Sequence, residues 1–237
     1  DWKVNDHAFN ALIGMESYQY NGTYLSGSNS SLKEGFDDWE HAYISNGTAS
    51  STASGLGVSG YPLDENRTVS YFVRFGWNWK ETYMLNATVR ADGSSKFARG
   101  HRYGYFPSIS AGWIMTNEKF MESTRDWLSN LKFRASWGKN GNDNIGDFRY
   151  TVLTAMGNNV LFGKNAVKFN GSKANATANE DLKWEESEQT DIGFDFGFFG
   201  SALTFSADYY VKKTNGMLIT MPIPSYVGET KPIGKRG

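Results

Sequence analysis

The most regular stretch of the chain is residues 83–92, where Tyr83, Leu85, Ala87, Val89 and Ala91 interleave with Met84, Asn86, Thr88, Arg90 and Asp92. Successive side chains of an extended strand point to opposite faces, so this period of two predicts a strand with one apolar and one polar face. The same period returns at Val69, Tyr71, Val73, Phe75, Trp77 and Trp79, set against Ser70, Arg74, Gly76, Asn78 and Lys80. Leu131, Phe133, Ala135 and Trp137 oppose Lys132, Arg134, Ser136 and Gly138, and Ile192, Phe194, Phe196 and Phe198 oppose Asp191, Gly193, Asp195 and Gly197. Leu203, Phe205, Ala207, Tyr209 and Val211 oppose Thr204, Ser206, Asp208, Tyr210 and Lys212. Weaker alternation at 105–115 and at 8–20, where Leu12 blurs the pattern, brings the predicted strands to seven.

Alternation alone fits a soluble sandwich with its apolar faces inward and equally a membrane barrel with them outward. The connections separate the two. Long polar stretches at 21–67, 93–104, 140–187 and 219–237 alternate with short links at Lys80-Glu81-Thr82, at 116–130 and at Phe199-Gly200-Ser201. In an up-and-down barrel that rhythm places every long connection on one rim and every short one on the other, the outer-membrane pattern of extracellular loops and periplasmic turns. The middle link predicts a brief amphipathic helix, with Asn117 as N-cap and Phe120, Met121, Thr124 and Trp127 or Leu128 on one side. Ten residues at about 3.4 Å each, tilted about 45°, span roughly 24 Å, the height of a barrel's apolar band. Aromatic residues gather toward the strand ends, where interfacial girdles place an apolar ring in lipid and a polar tip in the headgroups. The predicted lipid-facing and girdle set is Phe75, Trp77, Trp79, Tyr83, Trp113, Trp137, Phe194, Phe196 and Phe198.

Composition narrows the choice. Hydrophobic residues make up 39% of the 237 and aromatics 16%, so much of the apolar material is Phe, Tyr and Trp, with little of the Leu and Ile that fills soluble interiors. The 24 basic and 25 acidic side chains leave a net charge of -1, which supplies none of the attraction that nucleic acid requires. Cysteine is absent, so disulfides, thiolate metal sites and thiol nucleophiles are excluded. No apolar run approaches a membrane-spanning helix.

The fold class expected is therefore all-β: an antiparallel up-and-down transmembrane β-barrel, present in part. Seven is an odd number, whereas single-chain bacterial barrels close with even numbers. Two open edges in hydrocarbon, with about five unpaired backbone groups each, would cost tens of kcal/mol. The Pro- and Gly-rich segment 222–237 predicts loop, not an eighth strand. Residues 1–237 are thus expected to be a fragment of a larger barrel domain.

Certain long strings carry a family resemblance. Arg90-Ala91-Asp92-Gly93-Ser94-Ser95-Lys96-Phe97 is followed by Arg102-Tyr103-Gly104-Tyr105-Phe106-Pro107-Ser108-Ile109-Ser110-Ala111-Gly112-Trp113. Then come Trp127-Leu128-Ser129-Asn130-Leu131-Lys132-Phe133-Arg134-Ala135-Ser136-Trp137-Gly138, Gly141-Asn142, Leu182-Lys183-Trp184-Glu185 and the run 191–210. In this order they resemble the barrel of SusC/RagA-like TonB-dependent transporters of the Bacteroidetes. The resemblance implies a barrel of about 22 strands with a plugged lumen. It implies location in the bacterial outer membrane, a SusD-like surface lipoprotein over the extracellular mouth, and import of oligosaccharides or peptides powered by TonB, ExbB and ExbD. The family's plug domain and TonB box have no counterpart in these residues.

Candidate chemistry is sparse. Gly55-Leu56-Gly57-Val58-Ser59-Gly60 spells a dinucleotide fingerprint but is expected in a flexible Ser/Gly/Thr-rich loop without a preceding strand or following helix, so no helix N-terminus receives a phosphate. Asn142, Asp143, Asn144 and Asp147 offer oxygens without the bidentate Glu of an EF-hand, so turn chemistry is favoured. The resemblance admits calcium in a SusCD-like complex without assigning it to any residue here, and no other cofactor is expected. His7, His41 and His101 are isolated, as surface or loop histidines would be, and Asn86, one of several Asn-x-Ser/Thr triplets, lies inside a strand. An outer-membrane hydrolase would need a His with a nucleophile at the rim, and His101 has no evident partner; no catalytic residue is expected. A soluble carbohydrate-binding sandwich would turn these aromatics inward. The predicted lumen-facing residues are Arg74, Arg90, Lys132, Arg134, Asp191, Asp195 and Asp208, solvating the lumen, pairing with a plug or lining a substrate path. Trp39, Tyr43 and Trp184 in the long connections are the candidates for stacking on substrate.

Overall fold

The computed structural model describes residues 1–236 apart from 31–42, 53–54, 153, 165, 175–177, 225 and 227–230. In chain order the described strands are β1 (Trp2–Val4), β2 (His7–Tyr20), β3 (Thr23–Asn29), β4 (Leu56–Pro62), β5 (Asn66–Trp79), β6 (Tyr83–Ser94) and β7 (Tyr103–Ile114). Then follow β8 (Leu128–Asn142), β9 (Thr154–Phe162), β10 (Val167–Ala174), β11 (Glu185–Phe198), β12 (Leu203–Asn215), β13 (Met217–Thr220) and β14 (Ile233–Arg236). The chain divides into two units, Gln19–Asn66 and the remainder.

The remainder is dominated by one antiparallel sheet in the order β1, β2, β5, β6, β7, β8, β11, β12. The seven long strands are the seven expected from alternation. Each neighbour is the next sheet strand along the chain, which is an up-and-down meander. Its short turns use left-handed backbone: Lys80 and Glu81 have φ of 54° and 53° in the β5–β6 turn, closed by Thr82 N–H donating to Trp79 O at 2.9 Å. Two consecutive positive φ values make a primed turn, whose twist matches that of the flanking strands. At the β11–β12 turn Phe199, Gly200 and Ser201 have φ of 54°, 66° and 66°.

The strands outrun the expected ten residues: β8 has 15 and β11 has 14. The long connections expected as polar loop contain hairpins of their own. β3 pairs with β4 within the unit Gln19–Asn66, β9 with β10, and β13 with β14, the last strand lying in the segment read as loop. The link at 116–130 is not an α-helix. It holds two 3-10 segments, Met115–Asn117 and Lys119–Thr124. Asn117 caps neither; its amide donates to Glu81 O at 3.2 Å. The residue that organises this link is Glu118, whose carboxylate accepts from Tyr83 Oη at 2.6 Å and Trp113 Nε1 at 3.3 Å.

Cα partners across an antiparallel sheet share a face. The registers therefore string Trp79, Tyr83, Trp113, Phe133 and Phe194 into one row. Successive rings stand 5.4 Å apart between Trp79 and Tyr83, and 5.1 Å apart between Phe133 and Phe194. Trp77, Leu85, Ala111, Ala135 and Ile192 form the next row. This face is not packed away: Val89 is 54% exposed, and Tyr71, Val73, Phe75, Ile109, Ile192, Phe194 and Phe205 are exposed with it. The buried apolar cluster lies elsewhere, at the long-connection end of the sheet: Phe97, Phe106, Ile145, Leu182 and Trp184. A sheet with its greasy face outward and its small core off one end is the reverse of a soluble sandwich.

Candidate functional site

The opposite face carries the charges. Its rows run Asn78, Met84, Gly112, Arg134, Gly193, Asp208; then Gly76, Asn86, Ser110, Ser136, Asp191, Tyr210; then Arg74, Thr88, Ser108, Gly138, Gln189, Lys212. Nearest the short turns, Arg134 on β8 grips Asp195 on β11 with two bonds, Nε to Oδ2 at 2.7 Å and Nη2 to Oδ1 at 3.0 Å. The same Nη2 crosses β11 to Asp208 Oδ1 on β12 at 2.9 Å, and Ser206 Oγ donates to Asp195 at 2.9 Å. This reach exists because position 193 is glycine: a Cβ there would fall on the Asp208 carboxylate and within 3.0 Å of Arg134 Nη2. Lys132 is the register partner of Asp195.

A second network sits toward the long connections. Arg90 donates from Nε to Asp92 Oδ1 at 2.6 Å, and from Nη2 to Glu16 Oε2 and Ser70 Oγ, both at 3.0 Å. Its guanidinium lies 5.6 Å from the Phe72 ring centre. Between the two networks a groove of about 450 Å³ is floored by Thr88, Ser108, Ser110, Ser136 and Gly138, with Arg74 at its side. Arg74 and Asp191 form no ion pair among the described residues. The structure thus brings Arg134, Asp195, Asp208 and Lys132 together, gives Arg90 its own network, and leaves Arg74 and Asp191 apart from both.

Above the second network the long connections 93–104, 140–187 and 219–237 are knotted together. Phe97 and Leu182 are fully buried, and Trp184, 7% exposed, meets Phe97 at 5.6 Å and Phe106 edge-on at 5.4 Å. Trp184 Nε1 donates to Arg102 O at 2.8 Å, Arg102 Nε to Phe97 O at 3.2 Å, and Ser94 Oγ to Asp143 Oδ2 at 2.8 Å. Lys96 Nζ reaches Asp143 O at 3.2 Å. Phe106 lies over Gly141, where a side chain would overlap its ring. The β13–β14 hairpin clasps the cluster from the side. Leu218 and Ile233 pack on it, Leu218 N–H donates to Glu185 Oε2 at 3.0 Å, and Lys235 Nζ donates to Trp184 O at 2.9 Å. Partial burial, aided by Lys183 and opposed by Glu186 and Glu185, pulls the Lys235 pKa below that of an ordinary lysine.

Several expectations change here. Trp184 offers no open face for stacking, because its ring is buried against Phe97 and Phe106 and its N–H is bonded to Arg102 O. Tyr43 is 60% exposed within the unit Gln19–Asn66, just before a 3-10 turn. Trp39 and His41 lie outside the described residues. The glycine fingerprint at 55–60 is for the most part strand β4, paired along its length with β3, and not a loop. His7 is not an isolated surface residue. It stacks on Trp77 and Trp79 at 5.9 and 5.7 Å and accepts from Trp77 Nε1 at 3.1 Å. Asn142 and Asp143 serve turn and knot, Asn142 Oδ1 accepting from Asn144 N–H at 3.0 Å, while Asp147 Oδ1 is buried with no hydrogen-bond partner among the described residues. Among the described residues no group of three or more His, Asp or Glu side chains is placed to hold a metal.

Sequence reasoning did not single out Phe97, Ile145 or Leu182. Their signal was present: each is a large apolar residue standing alone in a polar connection. Four of the strings that carried the family resemblance lead here, 90–97, 102–113, 141–142 and 182–185, while 127–138 and 191–210 lie along β8, β11 and β12.

Comparison with known proteins follows the same lines. The family described as "TonB dependent receptor-like, beta-barrel" matches residues 2–233. TonB-dependent receptor P39 of Formosa agariphila is 37% identical over 173 residues, covering 73% of this chain and 16% of that protein. TonB-dependent receptor SusC of Bacteroides thetaiotaomicron is 38% identical over 163 residues, covering 67% of this chain and 16% of SusC. Among solved structures, that of the RagAB peptide importer in the closed-closed state superposes with a TM-score of 0.77 at 28% identity, covering 98% of this chain and 24% of the matched one. The chain spans between 16% and 24% of the length of these relatives.

Proposed function

Since the chain belongs to the TonB-dependent receptor-like β-barrel family, a family of receptors and transporters and not of enzymes, we propose that it forms part of the wall of an outer-membrane importer. The observation that carries the reading is the inverted sheet: a continuous exposed apolar face backed by a face of paired charges. In this reading the exposed rings meet acyl chains, and the aromatic row beside the short turns sits at the periplasmic headgroups. Its Tyr83 and Trp113 polar tips, held by Glu118, suit that level. Arg74, Arg90, Lys132, Arg134, Asp191, Asp195 and Asp208 then face the aqueous interior, where charge is tolerated. The cross-strand Arg134 network holds three wall strands in register against that water, and Arg74 and Asp191 are left for groups entering the lumen.

The complete transporter takes up oligosaccharides or peptides, drawing energy from TonB, ExbB and ExbD, with a surface lipoprotein closing the mouth. The peptide class is supported by the likeness to the RagAB peptide importer, and the oligosaccharide class by the resemblance of the quoted strings to SusC/RagA-like transporters. The test is uptake by cells with and without the gene, offered fluorescent oligosaccharides and fluorescent peptides in parallel. Loss of one class on deletion, and loss in wild-type cells on adding a protonophore, is expected. Uptake that ignores both deletion and protonophore overturns the proposal.

A further inference from the structure

The groove on the polar face has a one-sided chemistry. Hydroxyls of Thr88, Ser108, Ser110 and Ser136 and amides of Asn86 and Gln189 line it, and its one charged lining residue is Arg74. Arg74 is exposed and forms no ion pair among the described residues. From Arg74 on β5 to Gln189 on β11 the floor crosses four strand spacings, about 19 Å at about 4.8 Å each. The row continues past Gln189 to its register partner Lys212 on β12. Lys212 forms no ion pair among the described residues either, although Asp191 lies diagonal to it.

The carboxylates of this face are placed differently. Asp195 and Asp208 are held by Arg134, and Asp92 and Glu16 by Arg90. Glu185 accepts from Asn142 and from Leu218 N–H. Asp191 makes no such bond, but it shares a hollow of about 210 Å³ with Lys132 and Arg134. An incoming anion thus meets an uncommitted guanidinium, whereas an incoming ammonium meets carboxylates already engaged or standing beside cations.

We propose that the groove binds an acidic oligosaccharide, a sugar chain bearing carboxylates, and that Arg74 selects it over neutral chains. The inference rests on the reading that this face lines the aqueous interior of an importer, and it narrows the cargo named there. A guanidinium meets a carboxylate with two parallel N–H donors, and such charge-assisted bonds are about twice as strong as neutral ones. Hydroxyl and amide side chains both donate and accept, which suits sugar hydroxyls that do the same. The floor is low enough for a sugar ring to lie on it, because Gly138 and the serines beside it are small. A peptide with free termini suits the groove less: its carboxylate finds Arg74, but its ammonium finds no carboxylate among the lining residues.

In the experiment the intact transporter containing this segment, purified in detergent, is titrated calorimetrically with tetragalacturonate, with its fully methyl-esterified form and with tetra-alanine. The ester keeps the sugar chain and removes the charge. Wild type is expected to bind the acid at least about tenfold more tightly than the ester, the scale of one charge-assisted bond. Arg74→Gln should erase that difference, and Arg74→Lys should keep part of it, since the charge remains and the fork does not. Ser136→Phe raises the floor and should weaken acid and ester alike, which separates filling of the groove from loss of charge. Equal affinity of wild type for acid and ester, a preference that survives Arg74→Gln, tighter binding of tetra-alanine, or no binding of any probe overturns the proposal. Uptake by cells with and without a protonophore reports import separately, so import without an acid preference removes this inference and leaves the proposed function standing.

Discussion

Gly193 is the smallest residue with the largest consequence on the polar face, because only a missing side chain lets Arg134 reach across β11 to Asp208. Gly193→Ala should cost about 1–3 kcal/mol, the price of a charged partner left without its bond. Urea unfolding of the transporter in lipid vesicles, compared with Arg134→Gln, measures it; a Gly193→Ala protein as stable as wild type would mean that the bridge to Asp208 is idle. Phe97 makes the matching case among apolar residues. It is fully buried, yet it sits in a connection, so Phe97→Ala should remove roughly 3–5 kcal/mol of local packing while leaving the strands of the large sheet formed. Hydrogen exchange should quicken at 143–147 and 180–184 and stay slow in β5 and β6.

The strands were legible from sequence wherever the two faces of the sheet meet different surroundings, since apolar and polar residues then alternate by position alone. Where β8 continues through Lys139, Asn140, Gly141 and Asn142 both faces are polar, the period fades, and the strand outlasts its signal. The hairpins in the long connections were hidden for the same reason: in β3 and β4, rich in Ser, Gly and Tyr, only Leu25, Leu56 and Val58 are aliphatic, too few to mark an apolar side. The knot was illegible because its bonds join distant positions. Trp184 and Arg102 are separated by 82 residues, and no local pattern announces a contact of that span. It also explains why an exposed-looking tryptophan in a loop proved to be core. At this scale the β13–β14 hairpin should be held by its packing on the knot: Leu218→Asp is expected to raise hydrogen exchange in β13 and β14 without changing β5 to β8. Unchanged protection of the hairpin would show that its own pairing suffices.

For the molecule as a whole, the proposed function turns on one physical claim, that the apolar face is solvated by lipid and the polar face by water. Adjacent residues of β6 separate the two most cleanly, Val89 on the apolar face and Thr88 on the polar one, in register with Val73 and Arg74 respectively. An arginine that must enter the hydrocarbon costs about 2–4 kcal/mol at mid-bilayer and almost nothing in a wet lumen. The decisive measurement is therefore the yield of heat-modifiable, membrane-assembled protein for Val89→Arg and Thr88→Arg in parallel. A marked loss for Val89→Arg with near-normal assembly of Thr88→Arg is the predicted result; equal yields, or the reverse order, would contradict the orientation on which the account depends.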